Sequence, residues 1–334
     1  MMNMRNMINM IKNKKAIAGF SFALVSAITV SSWYAVNAQT TNKKTTNQPK
    51  SNNQSAPQFT RFQDAKNFQL SGQGKAFQPK NLPLASKPDE VPGKRGVIGW
   101  DDRTPMLSRK YPWSAIGRVQ GFDTQGKGYH CTGTLISENI VLTNAHCVIN
   151  PETRQFSKEI LFAPNVINRE VADKADIAQV KGVIYGTDFS GSELSNQQND
   201  WAILKLDKPV GRKYGYLGWR NISSSDLIRN RGKYIFVGYS GDFPDHNRRG
   251  YEGFTAGAGW TASAQVGCSI VDARNSVLFH DCDTTGGSSG GAIIAMINGE
   301  PRIVALNNAE IRDRTGQGVI NLAVPIDFLE RLSQ

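Results

Sequence analysis

His130-Cys131-Thr132-Gly133-Thr134-Leu135-Ile136 and, after Ser137-Glu138-Asn139, the run Ile140-Val141-Leu142-Thr143-Asn144-Ala145-His146-Cys147 decide how this chain folds. Gly128 to Leu135 and Ile140 to Thr143 are short and rich in Thr, Val, Ile and Leu, which is the length and composition of strands. The same reading extends outward to Ser114 to Phe122, Ala175 to Tyr185, Trp201 to Leu206, Lys233 to Tyr239, Ala292 to Ile297 and Arg302 to Leu306. Gly, Asn and Asp separate these runs, and long helical periodicity is nearly absent. The exception is the tail, where Asp327 is expected to cap a short helix that turns Phe328, Leu329 and Leu332 inward. Many short strands with regular turns predict an all-β sandwich or barrels. No internal repeat suggests a propeller or a solenoid.

Charge divides the chain. Residues 1–95 carry 14 Lys/Arg against 3 Asp/Glu and residues 96–334 carry 25 against 25, so the whole net charge of +11 sits in the leader. A neutral globular part removes the main support for nucleic-acid binding, which rests on clustered cations that release counterions from phosphates. Within the leader, Arg5, Lys12, Lys14 and Lys15 precede an apolar stretch from Ala16 to Val36 that closes on Val36-Asn37-Ala38. This predicts a signal peptide over 1–38, cleaved after Ala38. An uncleaved anchor is the alternative, and Ser26, Ser31 and Ser32 weaken it. From Gln39 to Thr60, 15 of 22 residues are Asn, Gln, Ser or Thr, too polar to order themselves, and 39–95 is expected to be a disordered pro-segment. It ends at Lys94-Arg95, either a processing site or a plain surface linker. The remaining 96–334 is expected to form one domain of two subdomains, about 96–210 and 211–334.

Four cysteines fall as two pairs, Cys131 with Cys147 and Cys268 with Cys282, at spacings unlike those of zinc or redox motifs. Two disulfides in an oxidising compartment are the simplest account, each closing a loop of about 15 residues worth roughly 3 kcal/mol. The expected location is therefore outside the cell or in a periplasm, with no stable membrane insertion once the signal is removed.

Three residue patterns share one chemistry. Gly286-Gly287-Ser288-Ser289-Gly290-Gly291 lets the backbone turn tightly about an exposed hydroxyl, with the N–H groups of Gly287 and Ser289 aimed at a developing oxyanion. Ser289 is then a nucleophile, and a serine needs a positioned base. His146 stands at the end of an apolar strand beside Cys147, whereas His130, His246 and His280 have no comparable setting and read as structural. Asp200, opening the apolar run Trp201 to Leu206, reads by itself either as a turn aspartate before a strand or as the carboxylate that fixes the tautomer of that base.

Together the three segments, in this chain order, resemble the chymotrypsin-like serine proteases. Thr143 to Cys147 is similar to their alanine-histidine-cysteine segment, and Gly287 to Gly291 to their nucleophile loop, with Ser288 in place of the usual aspartate. Cys131 occupies the position of the disulfide partner of the cysteine after the histidine. Val97 to Arg103, Tyr111-Pro112, Ala115 to Gly117, Gly238 to Asp242 and Thr284 to Gly287 resemble the bacterial glutamyl endopeptidase branch. The resemblance implies two six-stranded antiparallel β-barrels of the chymotrypsin type with a short C-terminal helix. It also implies a serine endopeptidase acting on polypeptides through an acyl-enzyme, with no metal or organic cofactor, as a monomer.

Acidic specificity in that branch depends on a pocket histidine, and alignment by eye puts Leu306 there. Asp283, six residues before Ser289, takes the place of the pocket base and resembles trypsin, so Asp283, Thr284 and Leu306 are expected to shape a pocket that prefers Arg or Lys, the alternative being an Asp283 turned away and hydrogen-bonded structurally because Cys282 constrains it. Ser288 cannot pair with a newly freed amine as the usual aspartate does, so activation must differ. A catalytically silent relative used for binding at the cell surface is the competing reading. A heat-shock protease with peptide-binding domains is not expected, with 45 residues after Ser289.

Overall fold

In the computed structural model the two runs around Cys131 become β4 (Gly128–Ser137) and β5 (Ile140–Thr143), paired antiparallel with Thr134 opposite Leu142. The structure describes residues 57–64, 74–82, 98, 101–186, 189, 193–314 and 318–333. The proposed signal peptide and the Lys94-Arg95 pair lie outside the described residues. Among the described residues no helix is long and apolar enough to cross a membrane.

β3 (Ile116–Phe122) pairs with β4 on one side and β6 (Glu159–Pro164) on the other. β7 (Ala178–Tyr185) joins β6 to β8 (Ala202–Leu206), and β8 returns to β5. These six antiparallel strands close a barrel. The barrel has a reason to close: Val119, Leu135, Val141, Leu142, Phe162, Val180 and Leu204 are all buried, and a closed sheet leaves no edge to protect.

The second sheet runs β12 (Ile270–Arg274), β13 (Val277–His280), β16 (Gly318–Pro325), β15 (Glu300–Arg312), β14 (Ala292–Ile297), β10 (Tyr234–Gly238), β11 (Ser263–Cys268), β2 (Thr104–Pro105). β9 (Gly218–Trp219) pairs with β15 off this path. The fold is the chymotrypsin type expected, with one correction: this second barrel is not closed by hydrogen bonds. β11 and β12 are separated only by Ser269, so the chain itself rounds that corner, and the Cys268–Cys282 disulfide spans it.

Three short helices complete the described part: α1 (Gly211–Tyr214), α2 (Ser224–Arg229) and α3 (Asp327–Leu332). α3 buries Phe328, Leu329 and Leu332, and the Phe328 ring stacks on Trp201 of the first barrel with centroids 4.3 Å apart. Asp327 is not the cap. It lies in the first turn, and Ile326 takes the N-cap position with no side-chain bond.

The stretch expected to be disordered contributes ordered pieces. β1 (Gln58–Arg61) pairs parallel with β7, Gln58 opposite Gly182 and Arg61 opposite Tyr185, along the side of β7 that β6 has left. Phe59 stacks on Phe156 and meets Tyr185 edge-on, which supplies the apolar area that the polar neighbours lack. Further on, Phe77 exchanges two backbone hydrogen bonds with Tyr216 and stacks on its ring, and the Arg302 guanidinium donates to the Gly74 carbonyl. A Cβ at Gly218 would lie 2.1 Å from the Gly74 carbonyl oxygen, so this docking requires glycine at 218.

Candidate active site

His146 sits in a single 3-10 turn, Ala145–Cys147, directly after β5. Cys147 is tied to Cys131 on β4 by a disulfide, so the turn is pinned to the neighbouring strand at the residue next to the histidine. Asp200 ends another 3-10 stretch, Leu194–Asn199, and precedes β8, the strand beside β5. Adjacent strands thus bring residues 54 positions apart into contact.

Both carboxylate oxygens of Asp200 serve His146: Oδ1 accepts from the His146 backbone N–H at 2.9 Å and Oδ2 faces Nδ1 at 2.6 Å. The Asn144 side chain donates to the Asp200 carbonyl at 2.6 Å and holds the aspartate from behind. Asp200 is 3% exposed and the His146 side chain 22%, so the base reaches solvent and its partner does not. Burial works against the imidazolium, and the Asp200 charge and hydrogen bond outweigh it, raising the histidine above its ordinary range. A carboxylate on Nδ1 fixes the proton there and leaves Nε2 as the acceptor.

Ser289 comes from the loop between β13 and β14, and the loop is docked on both sheets. The Ser289 carbonyl accepts from the Thr132 N–H at 2.8 Å, and the Gly287 carbonyl accepts from the Thr132 hydroxyl at 3.0 Å. Gly290 N–H donates to the Asn307 carbonyl, and Asn307 N–H to Gly291. The N–H groups of Ser288, Gly290 and Gly291 are all used within the fold, while among the described residues those of Gly287 and Ser289 have no acceptor. An oxyanion site needs two convergent N–H donors, and these two are left unbonded in the loop. Gly287 has φ +96°, and a Cβ there would fall 2.4 Å from His130 Nε2 and 2.6 Å from the Tyr239 carbonyl oxygen, so only glycine fits. The Ser289 hydroxyl itself donates to the Asn308 carbonyl at 3.2 Å in this structure.

The remaining histidines that pack near this loop are held in the interior. His130 is pushed down to about 3 by burial and the nearby Arg118, with Nε2 3.0 Å from the Tyr239 carbonyl. Burial likewise takes His280 down to about 4, facing the Asn307 side chain.

Two pocket expectations need correction. Leu306 is fully buried in the main apolar core. Asp283 is 1% exposed, and its oxygens accept from the Ile98 and Asp102 backbone N–H groups at 3.1 and 3.2 Å. Burial raises this carboxyl to about 6 despite those bonds. Asp283 anchors the segment that precedes β2 and is not a free charge at the base of a pocket. Thr284, next to it, is also buried. The residues that do meet the loop are Asn307, whose amide donates to the Ser288 carbonyl and hydroxyl, and Asn308, bonded to Ser289 and Gln197. Two asparagines closing an apolar strand were the signal available in the sequence. Among acidic, histidine and cysteine side chains, Cys131, His146 and Cys147 lie close enough together to suggest a metal, but the sulfurs bond each other and Nδ1 faces Asp200.

The family model described as Trypsin matches residues 102–330, more than half of the chain. The glutamyl endopeptidase of Bacillus licheniformis is 27% identical over 227 residues, which cover 67% of this chain and 63% of that protein. Serine protease 23 of Homo sapiens is 24% identical over 221 residues, covering 60% of this chain and 51% of that one. The chain thus spans 63% and about half of these two relatives' lengths. Two solved structures share the fold. One, of a Glu endopeptidase in complex with MPD, has a TM-score of 0.54 at 24% identity and covers 71% of this chain and 97% of that chain. The other, of the thermostable serine protease AL20 from an extremophilic microorganism, has a TM-score of 0.50 at 16% identity over 66% and 95%. The family match runs from the segment before β2 into the terminal helix, and the chain belongs to the trypsin family, in its chymotrypsin-like fold and close to the glutamyl endopeptidase branch.

Proposed function

We propose that this protein is an exported serine endopeptidase in which Ser289, His146 and Asp200 act in the order nucleophile, base and orienting carboxylate. The observation that carries the reading is Asp200 holding both the ring and the backbone of His146. Ser289 Oγ attacks the substrate carbonyl as its proton passes to His146 Nε2. The oxyanion accepts from the Gly287 and Ser289 N–H groups, His146 returns the proton to the leaving amine, and water then releases the acyl group by the same route in reverse. The substrates are polypeptides. Export is supported by the basic and apolar leader and by two paired disulfides. Specificity after Arg or Lys was expected from Asp283, and the two backbone donors on its carboxylate argue against that use.

A silent binding protein is the second reading, favoured by the Ser289 hydroxyl pointing at the Asn308 carbonyl. A fluorophosphonate probe separates the two, because only an activated serine reacts fast. Labelling of wild type at Ser289, lost in Ser289→Ala and kept in Ser288→Ala, supports the protease. Turnover in Ser289→Ala should fall by roughly 10⁶-fold. Cleavage profiling of wild type and Asp283→Ser on a peptide library tests specificity: a basic preference that Asp283→Ser abolishes would restore the pocket role of that aspartate.

A further inference from the structure

The half of the nucleophile loop that leads into Gly287 has little packing behind it. Gly286 is exposed, and a Cβ there would touch nothing. What holds this half is a set of polar ties: the Gly286 carbonyl accepts from Gly241 N–H at 2.6 Å, and the Thr285 hydroxyl donates to Asp242 Oδ1 at 2.5 Å. Asp242 is exposed on its outer side and gripped on its inner side by Arg103, whose Nη1 and Nη2 donate to its two oxygens at 2.8 and 3.0 Å. Arg103 is 2% exposed and also binds Asp101 through Nε and Nη2, at 2.8 and 3.0 Å. Four of its five side-chain N–H groups therefore donate to carboxylate oxygens, with the Phe243 ring 5.0 Å from the guanidinium carbon.

The buried Arg103–Asp101 part of this ion triad is a poor stabiliser, since desolvation consumes most of its Coulomb attraction, and the outer Asp242 is half exposed and screened by water. The ion triad's distinguishing property is geometry: a bidentate fork fixes both position and plane. We infer that Arg103 is a positioning residue that, by fixing Asp242 and through it Thr285, sets the aim of the Gly287 N–H toward the oxyanion. This inference deepens the protease reading and rests on it. Asp102, between the two triad members from the same segment, donates its N–H to Asp283, so the segment before β2 reaches the loop directly at Asp283 and through Asp242 at Thr285.

The test compares wild type with Arg103→Ala, Arg103→Lys and Thr285→Val in the protein as it is secreted by an expressing host. Loss of one oxyanion donor costs about 10²- to 10³-fold in kcat, so Arg103→Ala should lose about 10²-fold with KM changed less than threefold. Methylguanidinium added to Arg103→Ala should restore part of kcat, and Arg103→Lys, a point charge without the fork, should fall between. Thr285→Val removes the last link while leaving the buried cation paired, and should show the same kcat loss if Arg103→Ala does not fold. The backbone amide resonance of Gly287 should move in every variant that loses kcat. A folded Arg103→Ala or Thr285→Val with kcat within threefold of wild type and an unmoved Gly287 amide overturns the inference. If wild type itself ignores the fluorophosphonate, the protease reading fails, and the Gly287 amide still reports whether Arg103 shapes the loop.

Discussion

Asp200 accepts from both the ring and the backbone of His146, so removing its charge should act on the tautomer and leave the turn in place. Asp200→Asn is expected to keep the fold and lower kcat on the order of 10⁴-fold. The raised histidine also fixes a pH response. The base works neutral, so kcat/KM should rise with pH through a midpoint above the ordinary histidine value of about 6.5, and Asp200→Asn should move that midpoint down. Stability runs the other way: a folded value above the unfolded one makes the pair's contribution complete below about pH 6.5 and lost as pH climbs through the raised value. An acid limb that stays put in Asp200→Asn would argue against the pair. At Gly287, the +96° φ and the 2.4 Å approach to His130 lead us to expect that Gly287→Ala disables the loop, by about 10²-fold or more in kcat. His146 and Asp200 were legible at the edges of apolar runs and Ser289 within a Gly/Ser turn, and it was their joint order, through the family resemblance, that made them triad candidates; the structure brings His146 and Asp200 together. The pocket was not legible. Alternation along β15 is broken by bulges, one between Ile293 and Ile294 of its partner β14 and another between Asn307 and Ala309, so the facing residue could not be counted from the apolar pattern around Leu306.

The turn that carries His146 is secured at two points, the Cys131–Cys147 bond and the adjoining β5 to β8 pairing. Cys147→Ser should therefore depress kcat more than it raises KM, because a misplaced base harms the transition state more than binding, with mass spectrometry of unreduced wild type showing Cys131–Cys147 and Cys268–Cys282. α3 has no side-chain N-cap and is held chiefly by its buried face, so Phe328→Ala, which removes the ring stacked on Trp201, should cost about 3–5 kcal/mol in denaturant unfolding. A loss near the surface average would mean that α3 frays freely. Strands with β-branched runs on both faces, such as β5 and β14, were readable to the residue. β12, Ile-Val-Asp-Ala-Arg, and β11, Ser-Ala-Gln-Val-Gly-Cys, were not, because half of each is polar and they become strands only when β13 and β10 supply partners.

Across the whole molecule, residues 57–64 and 74–82 join parts that catalysis does not use: β1 lies on the first barrel, and Gly74 with Phe77 lies on Tyr216, Gly218 and Arg302 beside the second sheet. Composition hid this docking, since few apolar residues, Phe59 and Phe77 among them, carry it within a polar stretch. Cutting the full chain at Lys94-Arg95 should leave the amino-terminal piece co-eluting with the remainder in size-exclusion chromatography, and Gly218→Ala, which places a methyl group against the Gly74 carbonyl, should release it. Immediate separation of the wild-type pieces would show the docking to depend on the peptide link.

Before such a cut the two contact regions are neighbours by connection, at an effective concentration of millimolar order. Afterwards the same contacts belong to a two-body equilibrium governed by the volume in which the protein finds itself. In a confined space between cell layers the severed piece stays in reach and returns; in open medium it drifts off, and the uncovered side of β7 and the ring of Tyr216 meet water. Were the chain cut, the support that the docked strand gives would follow the volume into which each molecule is diluted.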